Sequence, residues 1–115
     1  MKVIIAGSRD ISTLHLVEDA VKMSKFDITE VVSGGARGVD RSGEIFAKHR
    51  NIPIKHFIPD WSTGKGAGPR RNKEMARYAD CLVALWDQKS AGTKNMIQEM
   101  KRLGKPVFIG IVRNK

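Results

Sequence analysis

The chain has 115 residues, with 41% hydrophobic and 29% charged side chains and a formal net charge of +9. This length predicts one domain over residues 1–115, because domains commonly hold about 100–200 residues, and the composition excludes a disordered chain. The apolar runs are too short for a membrane span or a signal peptide, and one cysteine excludes an internal disulfide, so we expect a cytoplasmic protein that does not bind membranes.

Apolar strands and amphipathic helices alternate along the whole sequence. Short continuous apolar runs are typical of strands covered on both faces, and apolar residues at helical spacing predict the helices between them. Ser12 or Thr13 can cap the first helix, and Pro69 suits the first turn of the third. In chain order we predict a strand at Lys2–Ala6, a helix at Leu14–Ser24, a strand at Glu30–Ser33, a helix at Val39–His49, a strand at Ile52–Ile58, a loop at Pro59–Gly68, a helix from about Pro69 to Tyr78, a strand at Asp80–Trp86, a helix at Gly92–Leu103 and a strand at Lys105–Val112.

Five strands alternating with four helices predict an α/β fold with a doubly wound parallel sheet in three layers. Right-handed crossovers favour the strand order 3-2-1-4-5. Ligands of such folds bind at the carboxyl edge of the sheet, where the winding reverses, which here is between the first and fourth strands. The loops after the first, second and fourth strands meet at that edge, as does the loop before the third helix.

A glycine-rich turn follows the second strand. One glycine with a positive φ is enough for a turn, so three glycines within five residues predict backbone N–H groups left open to an anion. Arg37 adds a forked cation suited to phosphate. Asp40 suits the dipole of the following helix, or alternatively binds a ribose hydroxyl or orients Arg37. The predicted phosphate-binding turn comprises Gly34, Gly35, Ala36, Arg37 and Gly38.

Three further segments carry the same residue types to the same edge. Trp86 fits either stacking on a base or core packing, and Thr93 fits either a ligand contact or a helix cap. Asp87 is a candidate for binding ribose or base. The candidate ligand-binding residues in these segments are Gly7, Ser8 and Arg9 after the first strand; Gly68, Pro69, Arg71 and Asn72 at the third helix; and Trp86, Asp87, Ser90, Gly92 and Thr93 before and within the fourth helix.

The positive charge favours an anionic partner. The chain lacks the dense Lys/Arg run with interleaved aromatics that is typical of a single-strand groove, so we rank a small anionic ligand above nucleic acid. The three histidines lie on different predicted elements without ligand spacing, and we therefore predict no metal site.

Taken together, these motifs resemble the YspA/YAcAr-like branch of the SLOG superfamily, which includes the DNA-processing Smf/DprA proteins and the LOG enzymes. The resemblance implies a Rossmann-like domain that binds a nucleotide or nucleotide-derived ligand, such as ADP-ribose, NAD or an AMP-like molecule. It also makes a homodimer or higher homo-oligomer an expectation. The resemblance covers nearly the whole length of the chain. The motifs that carry it are Gly7-Ser8-Arg9, Ser33 to Asp40, Gly68-Pro69, Arg71-Asn72, Met75, Ala79-Asp80, Trp86-Asp87, Ser90 and Gly92-Thr93.

The resemblance to LOG enzymes leaves catalysis open. Those enzymes cleave the N-glycosidic bond of a nucleoside monophosphate, and Arg71-x-x-Glu74-Met75 matches one of their segments, so Arg71 and Glu74 are the catalytic candidates for a hydrolase. Asn95 and Met96 occupy the places of two glutamates in the family's Gly-Thr loop. The leading expectation is therefore a sensor or sequestering domain, with a LOG-like phosphoribohydrolase and a DNA-associated, DprA-like module as the alternatives.

Overall fold

The structure, a computed structural model, describes residues 1–8 and 14–112. A short 3-10 helix, Trp61–Thr63, lies between β3 and α3. The main elements in chain order are β1 (Lys2–Gly7), α1 (Leu14–Ser24), β2 (Glu30–Ser33), α2 (Val39–His49), β3 (Ile54–His56), α3 (Ala67–Tyr78), β4 (Cys81–Trp86), α4 (Ala91–Arg102) and β5 (Val107–Ile111).

The five strands form one parallel sheet in the order β3-β2-β1-β4-β5, which confirms the predicted fold class and strand order. Every predicted helix and strand is present. The strand β3 is shorter at both ends than the predicted Ile52–Ile58. Its neighbour β2 has four residues and ends at Ser33, so the paired residues run from Val31 opposite Ile54 to Ser33 opposite His56.

Two apolar clusters cover the two faces of the sheet and confirm the three layers. Alternation along β1 sends Val3 and Ile5 to the face covered by α1 and α2, and Ile4 to the face covered by α3 and α4. The thiol of Cys81 is buried in the first cluster, where burial raises its pKa to about 11. It is therefore a small apolar core residue, as its strand position predicts.

None of the helices within residues 14–112 is both long and apolar enough to cross a membrane.

Candidate functional site

A cavity of about 80 Å³ lies at the carboxyl edge of the sheet, where the winding reverses between β1 and β4. The predicted segments meet there: the end of β1, the turn after β2, the start of α2, the first turns of α3 and the beginning of α4. The residues that line the cavity are Ala6, Gly7, Gly34, Ala36, Asp40, Arg71, Asn72, Met75, Ser90, Gly92, Thr93 and Met96. Nine of these are among the predicted site residues, and Ala6, Met75 and Met96 add an apolar wall.

The guanidinium of Arg71 is fixed at the cavity wall by carbonyl groups from two loops. Its Nη1 donates to the carbonyl oxygen of Gly34 at 2.6 Å and to that of Phe57 at 3.4 Å. Its Nε donates to Oδ1 of Asn72 at 3.0 Å. The first of these acceptors follows β2, the second follows β3 and the third lies on α3. Arg71 therefore joins three segments, and its charge is held in one orientation.

The local structure explains why glycine occupies three positions of the turn after β2. A Cβ on Gly34 would lie 2.5 Å from Nη1 of Arg71 and 3.1 Å from Oδ2 of Asp40, so a side chain there would displace the guanidinium. Gly35 and Gly38 have φ angles of 74° and 78°, which favour glycine. The number of glycines is thus accounted for by the turn and by Arg71, and it does not by itself require a ligand.

Asp40 is the buried carboxyl of the site. Its side chain is only 6% exposed, and Oδ2 accepts a hydrogen bond from the backbone N–H of Ala36 at 3.3 Å. Burial raises the pKa of Asp40 to about 6, although the Ala36 N–H and the charge of Arg71 act in the opposite direction. Asp40 therefore interacts with Arg71, whereas Arg37 is exposed beside the cavity.

The N-terminus of α4 closes the other side of the cavity. Ser90 caps the helix, since its Oγ accepts from the backbone N–H of Thr93 at 3.3 Å and lies 3.0 Å from Oγ1 of Thr93. Asn72 ties α3 to this helix by donating to Oδ1 of Asn95 at 2.9 Å and to the carbonyl of Gly92 at 3.3 Å. A Cβ on Gly92 would meet no other atom within 4 Å, so the backbone there is open to the cavity.

Comparison with known proteins identifies the family. The family described as "YspA, cpYpsA-related SLOG family" matches residues 1–64. The chain belongs to this family. It is 34% identical over 118 residues to the Gene 61 protein of Mycobacterium phage D29, an alignment that covers 93% of this chain and 94% of that protein.

The solved structure of DNA processing protein A (DprA) from Streptococcus pneumoniae shares the fold. The TM-score is 0.77 with 18% sequence identity, and the match covers 94% of this chain and 49% of that chain. This SLOG-family chain therefore spans about half the length of that DprA chain, and the likeness establishes the fold alone.

Four predicted site residues of this SLOG-family chain have structural roles beside the cavity. Oδ1 of Asp87 accepts from the backbone N–H groups of Lys89 and Ser90 at 2.8 and 2.9 Å, which lowers the pKa of Asp87 and shapes the turn. The hydroxyl of Ser8 accepts from the N–H of Asp87 at 3.1 Å. The indole N–H of Trp86 donates to the carbonyl of Ser90 at 3.1 Å, and its ring packs on the core. Gly7 lets β1 and β4 approach, because a Cβ there would lie 2.1 Å from the carbonyl oxygen of Leu85.

Other predicted residues lie away from the cavity. Glu74 is exposed and lines a depression together with Arg70 and Arg71, but it is not among the residues that line the cavity. Pro69 is exposed at the start of α3. Arg9 lies outside the described residues. Within residues 1–8 and 14–112, no group of three His, Cys, Asp or Glu side chains is arranged to hold a metal ion.

A second depression, which we name the outer groove, adjoins the cavity. The sequence did not predict it. Its volume is about 390 Å³, and its lining residues are Gly34, Gly35, Ala36, Arg37, Ile58, Pro59, Trp61 and Arg71. Trp61 is 58% exposed and Ile58 is 64% exposed. The signal available in the sequence was a tryptophan inside the long irregular stretch before α3.

Proposed function

We propose that this SLOG-family domain binds a phosphate-bearing ligand derived from a nucleotide, such as ADP-ribose, NAD or AMP, and acts as a sensor or a sequestering protein. The observation that carries the proposal is the meeting of the Gly34–Gly38 turn, Arg71 and the N-terminus of α4 at one small cavity. A guanidinium and the open end of a helix both favour phosphate. The position of the cavity at the reversal of winding agrees with where such sheets bind ligands.

The buried groups suggest how the ligand would lie. Its phosphate would accept hydrogen bonds from Arg71 and from backbone N–H groups near Gly92, and a ribose hydroxyl would donate to Asp40. The cavity of about 80 Å³ matches a group of phosphate size, since a water molecule needs roughly 10–15 Å³ of such space. Asp87 is a weaker candidate for ribose, because Oδ1 already accepts two backbone hydrogen bonds.

Calorimetric titration of ADP-ribose, NAD and AMP tests this proposal. Arg71→Ala should weaken the binding of the responding nucleotide by about 1.5–3 kcal/mol, the range for a hydrogen bond to a charged group. Arg77→Ala is the matched control, because Arg77 is exposed on the same helix and lines neither the cavity nor the outer groove. Equal affinity of the folded Arg71 variant and the wild type would refute the role of Arg71, and no heat from any of the three nucleotides would refute the proposed function.

One observation favours hydrolysis of an N-glycosidic bond as a second candidate function. Asp40 is a buried carboxyl with a pKa of about 6 in the same cavity as Arg71, and a carboxyl of this kind can activate water at neutral pH. Its position makes Asp40, rather than the exposed Glu74, the carboxyl for such a reaction. Release of free adenine from AMP by the wild type, and its loss in Asp40→Asn, would support this candidate; intact AMP after long incubation with the wild type would exclude it.

A further inference from the structure

The outer groove and the cavity share one wall. Gly34, Ala36 and Arg71 line both, so the two spaces adjoin at the guanidinium. The cavity offers about 80 Å³ and the groove about 390 Å³. Because the smaller space suits a phosphate but not a complete nucleotide, the rest of a bound nucleotide must extend outward.

Two large apolar side chains flank the groove and face solvent. Trp61 is 58% exposed and Ile58 is 64% exposed, although side chains of this kind are more often buried. The cationic residues Arg37 and Arg71 line the same groove. An aromatic face next to cations suits a planar base that is attached to phosphate.

The segment that carries Trp61 is fixed in place by its own contacts. Oδ1 of Asp60 accepts from the backbone N–H of Ser62 at 3.1 Å and caps the short 3-10 helix. Arg70 donates to the hydroxyl of Thr63 at the other end. The indole ring lies against α3, where a Cβ on Gly68 would be 3.5 Å from Cη2 of Trp61. An aromatic platform that is already ordered loses little entropy when a ring stacks on it.

The other tryptophan does not offer such a platform. The indole N–H of Trp86 is bonded to the carbonyl of Ser90, and the ring packs against the core between the sheet and α4. Trp61, by contrast, is exposed and lines the outer groove, which shares Gly34, Ala36 and Arg71 with the phosphate-sized cavity.

We propose that the outer groove binds the nucleobase of the ligand, with the base stacked on Trp61 and the adjoining phosphate directed toward Arg71. This inference rests on the proposed function and adds to it the place where the base of the ligand binds and the residue that recognises it. It also assigns Trp61 as a specificity residue that separates nucleotides from sugar phosphates.

The test compares ADP-ribose with ribose 5-phosphate, which lacks the base, in calorimetric titrations of the wild type, Trp61→Ala and Trp61→Phe. Trp61→Ala should weaken ADP-ribose binding about tenfold or more and leave ribose 5-phosphate unchanged, since stacking on an aromatic ring is the interaction removed. Trp61→Phe keeps an aromatic face and should stay within a few-fold of the wild type. In Trp86→Phe, ADP-ribose should quench the remaining Trp61 fluorescence. Unchanged thermal unfolding of the Trp61 variants controls for the fold.

Four results would overturn the inference, and they are distinguishable. Equal ADP-ribose affinity of the wild type and Trp61→Ala would remove the base from the groove while leaving the proposed function intact. Equal weakening of both ligands would make Trp61 a shape-maintaining residue instead. If a poly(dT) oligonucleotide depended on Trp61 and ADP-ribose did not, the groove would belong to a nucleic-acid strand. No binding of ADP-ribose or ribose 5-phosphate to the wild type would overturn the proposed function as well.

Discussion

Replacing Asp40 by Asn should stabilise the protein at neutral pH and have little effect in acid. The native pKa of about 6 lies above the ordinary value of 3.8, so the native state holds this proton more tightly than the unfolded chain does. The stability that Asp40 contributes is therefore complete below the unfolded pKa and is lost as the pH rises through about 6. Since one pKa unit corresponds to about 1.4 kcal/mol, the ionised carboxyl costs about 3 kcal/mol at neutral pH.

Urea unfolding of the wild type and Asp40→Asn between about pH 4 and pH 8 measures this cost. The asparagine amide can still accept from the N–H of Ala36 and removes the charge, so the variant should gain about 3 kcal/mol relative to the wild type across this range. Asp87→Asn is a control of opposite sign: hydrogen bonds lower the pKa of Asp87, so its stabilising effect is present at neutral pH and is lost in acid. An Asp40→Asn variant that is less stable than the wild type, by a margin that widens with pH, would refute the dominance of burial over Arg71.

Two further predictions concern the geometry around the site. Gly34→Ala should leave the far-UV circular dichroism unchanged but weaken ADP-ribose binding about tenfold or more, because the new methyl would lie 2.5 Å from Nη1 of Arg71; wild-type affinity would show that the guanidinium moves without consequence. Lys105→Met should lower the free energy of unfolding by about 1–3 kcal/mol, since Nζ donates to the carbonyls of Ala76, Arg77 and Ala79 at the end of α3. An unchanged urea midpoint would contradict this contribution.

Apolar periodicity was enough to predict the fold. The runs at β1 and β4 are apolar because helices cover both faces of the sheet. Strands that alternate with helices are compatible with few sheet topologies. The same topology predicts a ligand site between those two strands, and the cavity lies there. The ligand, the homo-oligomer and the cytoplasmic location stay predictions.

The roles of individual polar residues could not be predicted in the same way. Whether Asp87 faces a ligand or holds a turn depends on the backbone angles of the turn after β4, which the residue types do not determine. Glu74 follows Arg71 by three residues on α3, and both line the exposed depression beside Arg70, yet of the two only Arg71 also lines the cavity. The sequence did not predict a role for Trp61, because its position beside the turn after β2 depends on the short 3-10 helix that carries it.

Arg71 also holds the loops after β2 and the edge strand β3 against α3. The carbonyls of Gly34 and Phe57, which follow β2 and the edge strand β3, share its Nη1 as donor. A phosphate that drew this nitrogen away would release both loops from α3 at once. If a phosphate binds this guanidinium as proposed, both hydrogen bonds would weaken, and backbone hydrogen exchange in the loop after β3 would rise when the cavity is occupied.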